Sequence, residues 1–305
     1  MSQRYWVGVT DSDWFDYLRV RTPDELNFWQ PSAERRAVRL DAGALFLFKL
    51  HAPRNFVVGG GVYVRYSALP ARLAWDAFGE KNGAPSYAIL RERVERYRNR
   101  PIQGDPFIGC NILNSPFFFE QKDWLPIPET WAPNTQQGRT FNTETADGLR
   151  LWNAVQERLR QTTSSANQAE SPRSGEEYLT RARLGQGAFR VLVTEAYERR
   201  CAISGERTLP VLEAAHIQPY AKSGPHLISN GLLLRSDLHI LFDDGYLTVT
   251  EKLEVEVSRN IKERFKNGRE YYRYHGKPLL TVPSGFAQQP SAEFLHWHNT
   301  RVFQG

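Results

Sequence analysis

The stretch EAAHIQPYAKSGPHLISNGLLLRSDLHILFDDG, residues 213–245, reads as strand, loop, strand and helix in that order. The apolar run ending in EAAHI forms a strand that stops at His216, because the turn opened by Pro219 cannot continue a ladder. A polar loop follows, and Asn230 leads a second short strand over residues 231–234. Ser236 or Asp237 is expected to cap a short helix that runs to about Asp244 and ends at Gly245. On that helix His239 and Asp243 are four positions apart, so both side chains lie on one face, one turn from each other. An imidazole and a carboxylate so placed suit a divalent cation.

His216, Asn230 and His239, with eight residues between the Asn and the second His, resemble the His-Asn-His motif of the HNH endonucleases. The resemblance covers roughly residues 200–245. Its surroundings, AAHI and NGLLL…H…LFD, and the tail EFLHWHNTRVF at residues 293–303, are similar to a bacterial family of restriction endonucleases. A lone histidine at a strand end is usually structural; three polar residues in this register with this strand, turn and helix order are what carry the resemblance. It implies a ββα-metal unit and a metal-dependent HNH endodeoxyribonuclease. His216 would then be the general base for the water that attacks phosphorus, a task suited to imidazole because its ordinary pKa lies near neutrality. His239 would hold a divalent ion, Mg²⁺ or Mn²⁺, acting as a Lewis acid on the phosphate and the departing oxygen. Asn230 would keep the His216 strand end in place, and the products would carry a 5′-phosphate and a 3′-hydroxyl.

Two departures from the family pattern stand out. The residue before the catalytic His is often a ligand, and here it is Ala215. Asp243 matches an additional ligand position of the colicin-type DNases and is nominated as second ligand, with Glu213 as the other candidate. A zinc knuckle often precedes the first strand; here Cys201 and Ser204 stand in its place with no downstream pair, so its turn is expected and a structural zinc is not. His226 is expected at the surface of the loop, and His296 and His298 in packing.

Outside this stretch, composition bounds the answer. A chain of 305 residues can bury two cores. It has only Cys110 and Cys201, which excludes a disulfide framework and a four-cysteine zinc site. No apolar run approaches the roughly twenty residues a membrane span needs. The start, MSQRYWVGVT, lacks a basic segment followed by an apolar one, so a cytoplasmic location is expected. A net charge of +5 is compatible with a polyanionic partner, since Lys and Arg displace counterions from phosphates.

The first half alternates short apolar runs with Gly, Pro and Asn. ALFLFKL (44–50), NFVVGGGVYV (55–64) and PFIGCNIL (106–113) predict strands, the second with a bulge at Gly59–Gly61. SALPARLAWDAFG (67–79) and SYAILRERVERYRNR (86–100) predict helices, the latter with Leu90, Val94 and Tyr97 at helical spacing. Its five arginines and two glutamates either track a phosphate backbone or form a solvated face. Residues 143–160 predict an amphipathic helix capped by Thr143, with Leu149, Trp152, Val155 and Leu159 on one face. The polar residues 161–175 predict a flexible linker. A helix follows over residues 176–200, broken near the GQG at 185–187.

YWVGVTDSDWFDYL (5–18), ELNFWQPS (25–32) and the strand pattern around them are similar to the PUA superfamily, which includes the EVE, YTH, ASCH and SRA domains. The resemblance implies an aromatic pocket for a flipped or unpaired modified base, with Trp14, Asn27 and Trp29 as candidates; for any single tryptophan a core position is the usual alternative. The expected fold class is α+β: a PUA-like β-barrel with inserted helices over residues 1–132, a helix and linker over 133–175, and an HNH nuclease domain over 176–305. The expected function is a modification-dependent restriction endonuclease acting on double-stranded DNA. The alternatives are a DNase indifferent to modification and a nucleic-acid-binding protein with an inactive site. A homodimer follows if chains with one active site each are to cut both strands.

Overall fold

The computed structural model describes residues 2–34, 38–98, 101–163 and 184–305. From residue 164 onward the expected linker, and residues 176–183 of the helix expected after it, lie outside the described residues. The chain divides into two compact units, Met1–Leu179 and Thr180–Gly305, and the fold is α+β in both.

The first unit is built on one sheet. Its strands are β1 (Arg4–Thr10), β2 (Glu25–Gln30), β3 (Leu45–Leu50), β4 (Phe56–Pro70), β5 (Phe107–Phe118), β6 (Leu125–Pro126) and β7 (Gly138–Asn142). The order is β2-β5-β4-β3-β1-β7, with β6 on β4. Only β1 and β3 pair in parallel; the other pairs are antiparallel. Both faces are buried, which is why these strands read as nearly continuous apolar runs. Trp6, Phe46 and Phe48 point into one core, and Tyr5, Val7 and Leu47 into the other.

The sheet is strongly curled. Phe28, on the end strand β2, meets Phe46 of β3 with ring centroids 4.8 Å apart, although two strands stand between them in the ladder order. Gly8 on β1 makes room for this contact: a Cβ there would lie 2.9 Å from both rings. The expected bulge is present, with register shifts between Gly60 and Val62 against β5.

Helices α1 (Ser12–Arg19), α2 (Ala71–Phe78), α3 (Tyr87–Arg98) and α4 (Ala146–Thr163) complete the unit. Residues 67–70, expected to begin a helix, instead continue β4 against β5. Pro70 marks the switch, since its fixed φ and missing N–H are tolerated at a helix start but not within a helix. Thr145 rather than Thr143 caps α4, accepting from the Gly148 N–H at 3.2 Å. Thr143 Oγ1 accepts from the Gln3 backbone instead. Leu151 replaces the exposed Leu149 on the buried face of α4, beside Trp152, Val155 and Leu159. The arginines of α3 are largely committed to the fold: Arg91, Arg93 and Arg98 donate to the carbonyls of Ile102, Gly83 and Pro31.

In the second unit, α5 (Gln186–Ala196) starts at the expected GQG break, with Gly185 as its extended N-cap. Strands β8 (Leu212–His216) and β9 (Gly231–Arg235) pair antiparallel with His216 opposite Gly231. Helix α6 (Ser236–Asp243) follows directly. A hairpin of β10 (Leu247–Val249) and β11 (Val255–Val257) and the helices α7 (Asn260–Phe265), α8 (Arg269–Tyr272) and α9 (Ala292–Arg301) close the unit. One core joins α5, β8, β9, α6 and the hairpin through Phe189, Val193, Leu233, Phe242 and Val249. The knuckle turn is held by its own sulfur: Cys201 Sγ accepts from the N–H groups of Ser204 and Arg235.

Neither expected residue caps α6. Asp237 forms a two-pronged pair with Arg235 at 2.6 and 2.8 Å, and Ser236 donates to Val211 O and Glu213 Oε1. Gly245 ends the helix at φ 73°. No helix among the described residues is long and apolar enough to cross a membrane.

His298 on α9 is packed, as expected. Its ring stacks on Phe242 at 3.7 Å, its Nε2 donates to the Phe242 carbonyl at 3.0 Å, and the Thr248 hydroxyl lies 2.7 Å from Nδ1. Burial pushes its pKa down from 6.5 to about 4, against weaker opposing effects of the Phe242 carbonyl and Asp243. The unfolded chain therefore takes up this proton first as pH falls. The stabilisation is complete above pH 6.5 and is lost on acidification towards 4, amounting to about 3 kcal/mol. Urea unfolding followed by the fluorotryptophan resonance of Trp297 is expected to show this loss between pH 7 and 4.5, and a smaller loss in His298→Gln. Equal losses in both would remove His298 as the linked group.

Candidate active site

The site forms where β8 ends, β9 begins and α6 lies against them. Asn230 is fully buried, and its amide joins the two ends of the loop. Oδ1 accepts from the Gln218 N–H, while Nδ2 donates to the carbonyls of Gln218 and Pro225, all at 2.9 Å. Its own carbonyl accepts from the Ile217 N–H at 2.9 Å. The strand end carrying His216 is thus pinned from both sides.

His216 is half-buried and stacks on Phe189 of α5, with centroids 3.9 Å apart and planes 12° apart. Its Nε2 lies 2.9 Å from Nδ1 of His226. Burial is the largest cause that lowers its pKa from 6.5 to about 4; the charges of His226 and His239 add to it, and Asp243 opposes. Near neutral pH the ring is therefore a bare base.

His239 has a carboxylate at each ring nitrogen. Nδ1 is 2.6 Å from Glu213 Oε2, and Nε2 is 3.2 Å from Asp243 Oδ2. Burial would depress its pKa, but hydrogen bonds and charge from Asp243 and Glu213 outweigh it, and the net shift is upward. The surroundings favour positive charge at this ring. Glu213 is held further by the Ser236 hydroxyl on its other oxygen.

Ala215 is buried in the core, whereas Ala214, Glu213, His216, His239 and Asp243 line a cleft of about 550 Å³ with Phe189 and Arg190. Ala215 therefore presents no side chain to the position a ligand would occupy. Among the described residues no three His, Cys, Asp or Glu side chains converge as a closed metal site would. What the cleft offers is one imidazole nitrogen beside one carboxylate oxygen. Such an open pair could hold a divalent ion that takes waters and phosphate oxygens for the rest of its shell.

The expected surface residue His226 proves half-buried and in contact with His216. Phe189 was also missed, because nothing in a helix reading of α5 says which apolar residue faces the His216 strand. A signal for His226 was present in its place, seven residues after Pro219 and four before Asn230. His296 pairs with Glu251 at the surface.

In the first unit a cavity of about 400 Å³ opens beside the ends of β1 and β2, lined by Asp11, Trp14, Trp29, Gln30, His51 and Tyr97 among others. Trp14 is nearly buried and packs edge-on against Phe28 and Phe48. Trp29 donates from Nε1 to the Asn82 carbonyl and faces Tyr97 with centroids 6.1 Å apart. Asn27 does not line the cavity: its side chain is fully buried and donates to Asn82 Oδ1 and Cys110 Sγ. It shares a face of β2 with Trp29, but Asn82, between α2 and α3, and Cys110 on β5 take its amide. Gln30, in contrast, is nearly buried at the cavity, with an Oε1 that has no hydrogen-bond partner among the described residues.

Residues 201–250 match the model of the HNH endonuclease family, and that match contains β8, β9 and α6 with His216, Asn230 and His239. No curated protein matches the chain. Among solved structures, similarity extends to a ZmASCH mutant protein from Zymomonas mobilis, at 11% identity and a TM-score of 0.34, covering 50% of this chain and 97% of that one. The modification-dependent TagI restriction endonuclease is similar at 12% identity and a TM-score of 0.27, covering 92% of this chain and 76% of that one. The type IV phosphorothioation-dependent restriction endonuclease ScoMcrA is similar at 12% identity and 0.19, covering 77% and 48%.

Proposed function

We propose that this protein is a modification-dependent DNA endonuclease, in which the first unit reads an altered base and the HNH module hydrolyses the backbone. The observation that carries the nuclease half is His216, stacked on Phe189, facing the same cleft as the His239–Asp243 pair. His216 takes the proton from a water attacking phosphorus, and the bond to the 3′ oxygen breaks, leaving a 5′-phosphate and a 3′-hydroxyl. Asn230 holds the strand end and loop so that the imidazole stays in place. His239 and Asp243 would hold a divalent ion. When bound, that ion supplies Lewis-acid neutralisation of the phosphate oxygens. Glu213, on the far nitrogen of His239, fixes the ring orientation, as carboxylates behind ligating histidines do.

The reader half is supported by the cavity at Trp14, Trp29 and Tyr97. A base turned out of the duplex needs aromatic faces and a few polar atoms at its edge, and Gln30 and Asp11 supply the latter. The test is cleavage of matched duplexes with Mg²⁺ or Mn²⁺, carrying unmodified, 5-methyl-, 5-hydroxymethyl- or glucosylated cytosine. Cutting confined to a modified duplex is expected. Equal cutting of all would leave a nuclease indifferent to modification, and no cutting of any would leave a binding protein.

A further inference from the structure

We infer that His226 is a positioning residue for His216, fixing which nitrogen of that imidazole is bare. The inference rests on His216 being the base of the proposed nuclease, but its geometry stands on its own. His216 Nε2 and His226 Nδ1 are 2.9 Å apart, close enough that one proton lies between them. Both rings are neutral-compatible donors or acceptors, and the hydrogen bond made by one nitrogen sets the state of the other. With the proton on His216 Nε2 and accepted by His226 Nδ1, His216 keeps Nδ1 unprotonated and able to take a proton from water. With the opposite arrangement Nδ1 would carry hydrogen, and the ring's one lone pair, on Nε2, would be engaged by the His226 Nδ1–H.

The fold holds this pair with some care. His216 lies flat on Phe189, and His226 lies flat on Tyr220 at 4.5 Å and 7°, so each ring has one face fixed. The two imidazole planes meet at 59°. Asn230 Nδ2 donates to the carbonyl of Pro225, the residue before His226, and to that of Gln218, two after His216. The same buried amide therefore sets the spacing of both histidines. Gly224 lets the loop close: a Cβ there would collide with the Gln218 carbonyl. The loop sequence thus has a purpose beyond connecting two strands.

The experiment uses the full chain with ¹⁵N-labelled histidine, read by long-range proton–nitrogen correlation near neutral pH, together with single-turnover cleavage. His216→Gln assigns its resonances. In the parent, His216 Nε2 is expected to be pyrrole-like and Nδ1 pyridine-like. His226→Ala is expected to move both His216 nitrogens towards averaged values and to slow cleavage roughly 10–100-fold, the usual scale for a residue acting through another, with little change in KM. His226→Asn, whose Oδ1 can stand where Nδ1 stood, is expected to retain the His216 signature and recover most of the rate. Unchanged His275 and His298 resonances report an intact unit. A pyrrole-like Nδ1 on His216 in the parent, or His216 nitrogens unmoved in His226→Ala, would overturn the inference. Absence of cleavage by the parent itself would sink the nuclease assignment, while the nitrogen shifts would still decide the role of His226.

Discussion

His216→Ala is expected to slow single-turnover cleavage roughly 10²- to 10⁴-fold, the range that a positioned general base contributes. The loss follows from what the ring does and from what its neighbours cannot do: His298, also at the cleft, has both ring nitrogens engaged by the Phe242 carbonyl and the Thr248 hydroxyl. Asp243 and Glu213 flank His239, and their oxygens are engaged there. Arg190 lines the cleft, but a guanidinium cannot accept a proton. His226 abuts His216 through Nδ1, so it is not an independent second base. The fold should survive the change, because the Asn230 hydrogen bonds that pin the strand end run to the backbone of Ile217, Gln218 and Pro225 and do not involve the imidazole. Circular dichroism unchanged with the rate lost is the expected pair of results, and a variant that cuts at the parent rate would rule out His216 as the base.

The pH profile adds a sign. The His216 pKa is lowered to about 4, so protonation of this base should not slow cleavage between pH 7 and 5. His239 is shifted the other way, so protons and metal compete for it as pH falls, since a ligand must be deprotonated to bind. The acid limb of the profile should then move to lower pH when the metal concentration is raised. A limb that stays fixed would belong to His216 and would contradict the effect of its burial.

The legibility of this chain follows a physical divide. The ββα unit could be read because its signals are local: a proline turn after His216, an Asn before a strand, and a one-turn spacing of His239 and Asp243 on a single short helix. Strands β3, β4 and β5 of the first unit were legible for the same reason, each lying in a short apolar run, whereas β1, β2, β6 and β7 were not read as strands. What depended on the third dimension was not. Asn27 and Trp29 share a face of β2, yet only Trp29 lines the cavity, because Asn82 and Cys110 take the Asn27 amide. Helix caps were misassigned where a side chain had a better partner than the helix N-terminus, as Thr143 has in the distant Gln3 backbone and Asp237 in the neighbouring Arg235. Ala215 looked like a lost ligand in sequence, whereas the structure turns it into the core and leaves the cleft to its neighbours.

The two acids beside His239 are expected to separate in a metal titration. Asp243 faces Nε2, and Glu213 faces Nδ1 while also accepting from Ser236. A single ion cannot be bound through both nitrogens of one ring, so one acid joins His239 as a ligand and the other orients it from behind. Glu213 already has two partners in the fold, which suits an orienting role. Asp243, at the open end of α6 and 54% exposed at its side chain, suits a ligand that shares its ion with waters and phosphate. Calorimetric titration with Mn²⁺ should therefore show binding nearly abolished in His239→Ala and weakened more than roughly 100-fold in Asp243→Ala. Glu213→Gln should cost only about 10–100-fold, the scale of lost support behind a ligating histidine. Because the readout is heat of binding rather than cleavage, it decides the ligand set even if the DNA substrate is wrongly chosen. Weaker Mn²⁺ binding in Glu213→Gln than in Asp243→Ala would exchange the two roles, and would place the ion at Nδ1, on the side of the ring that faces β8.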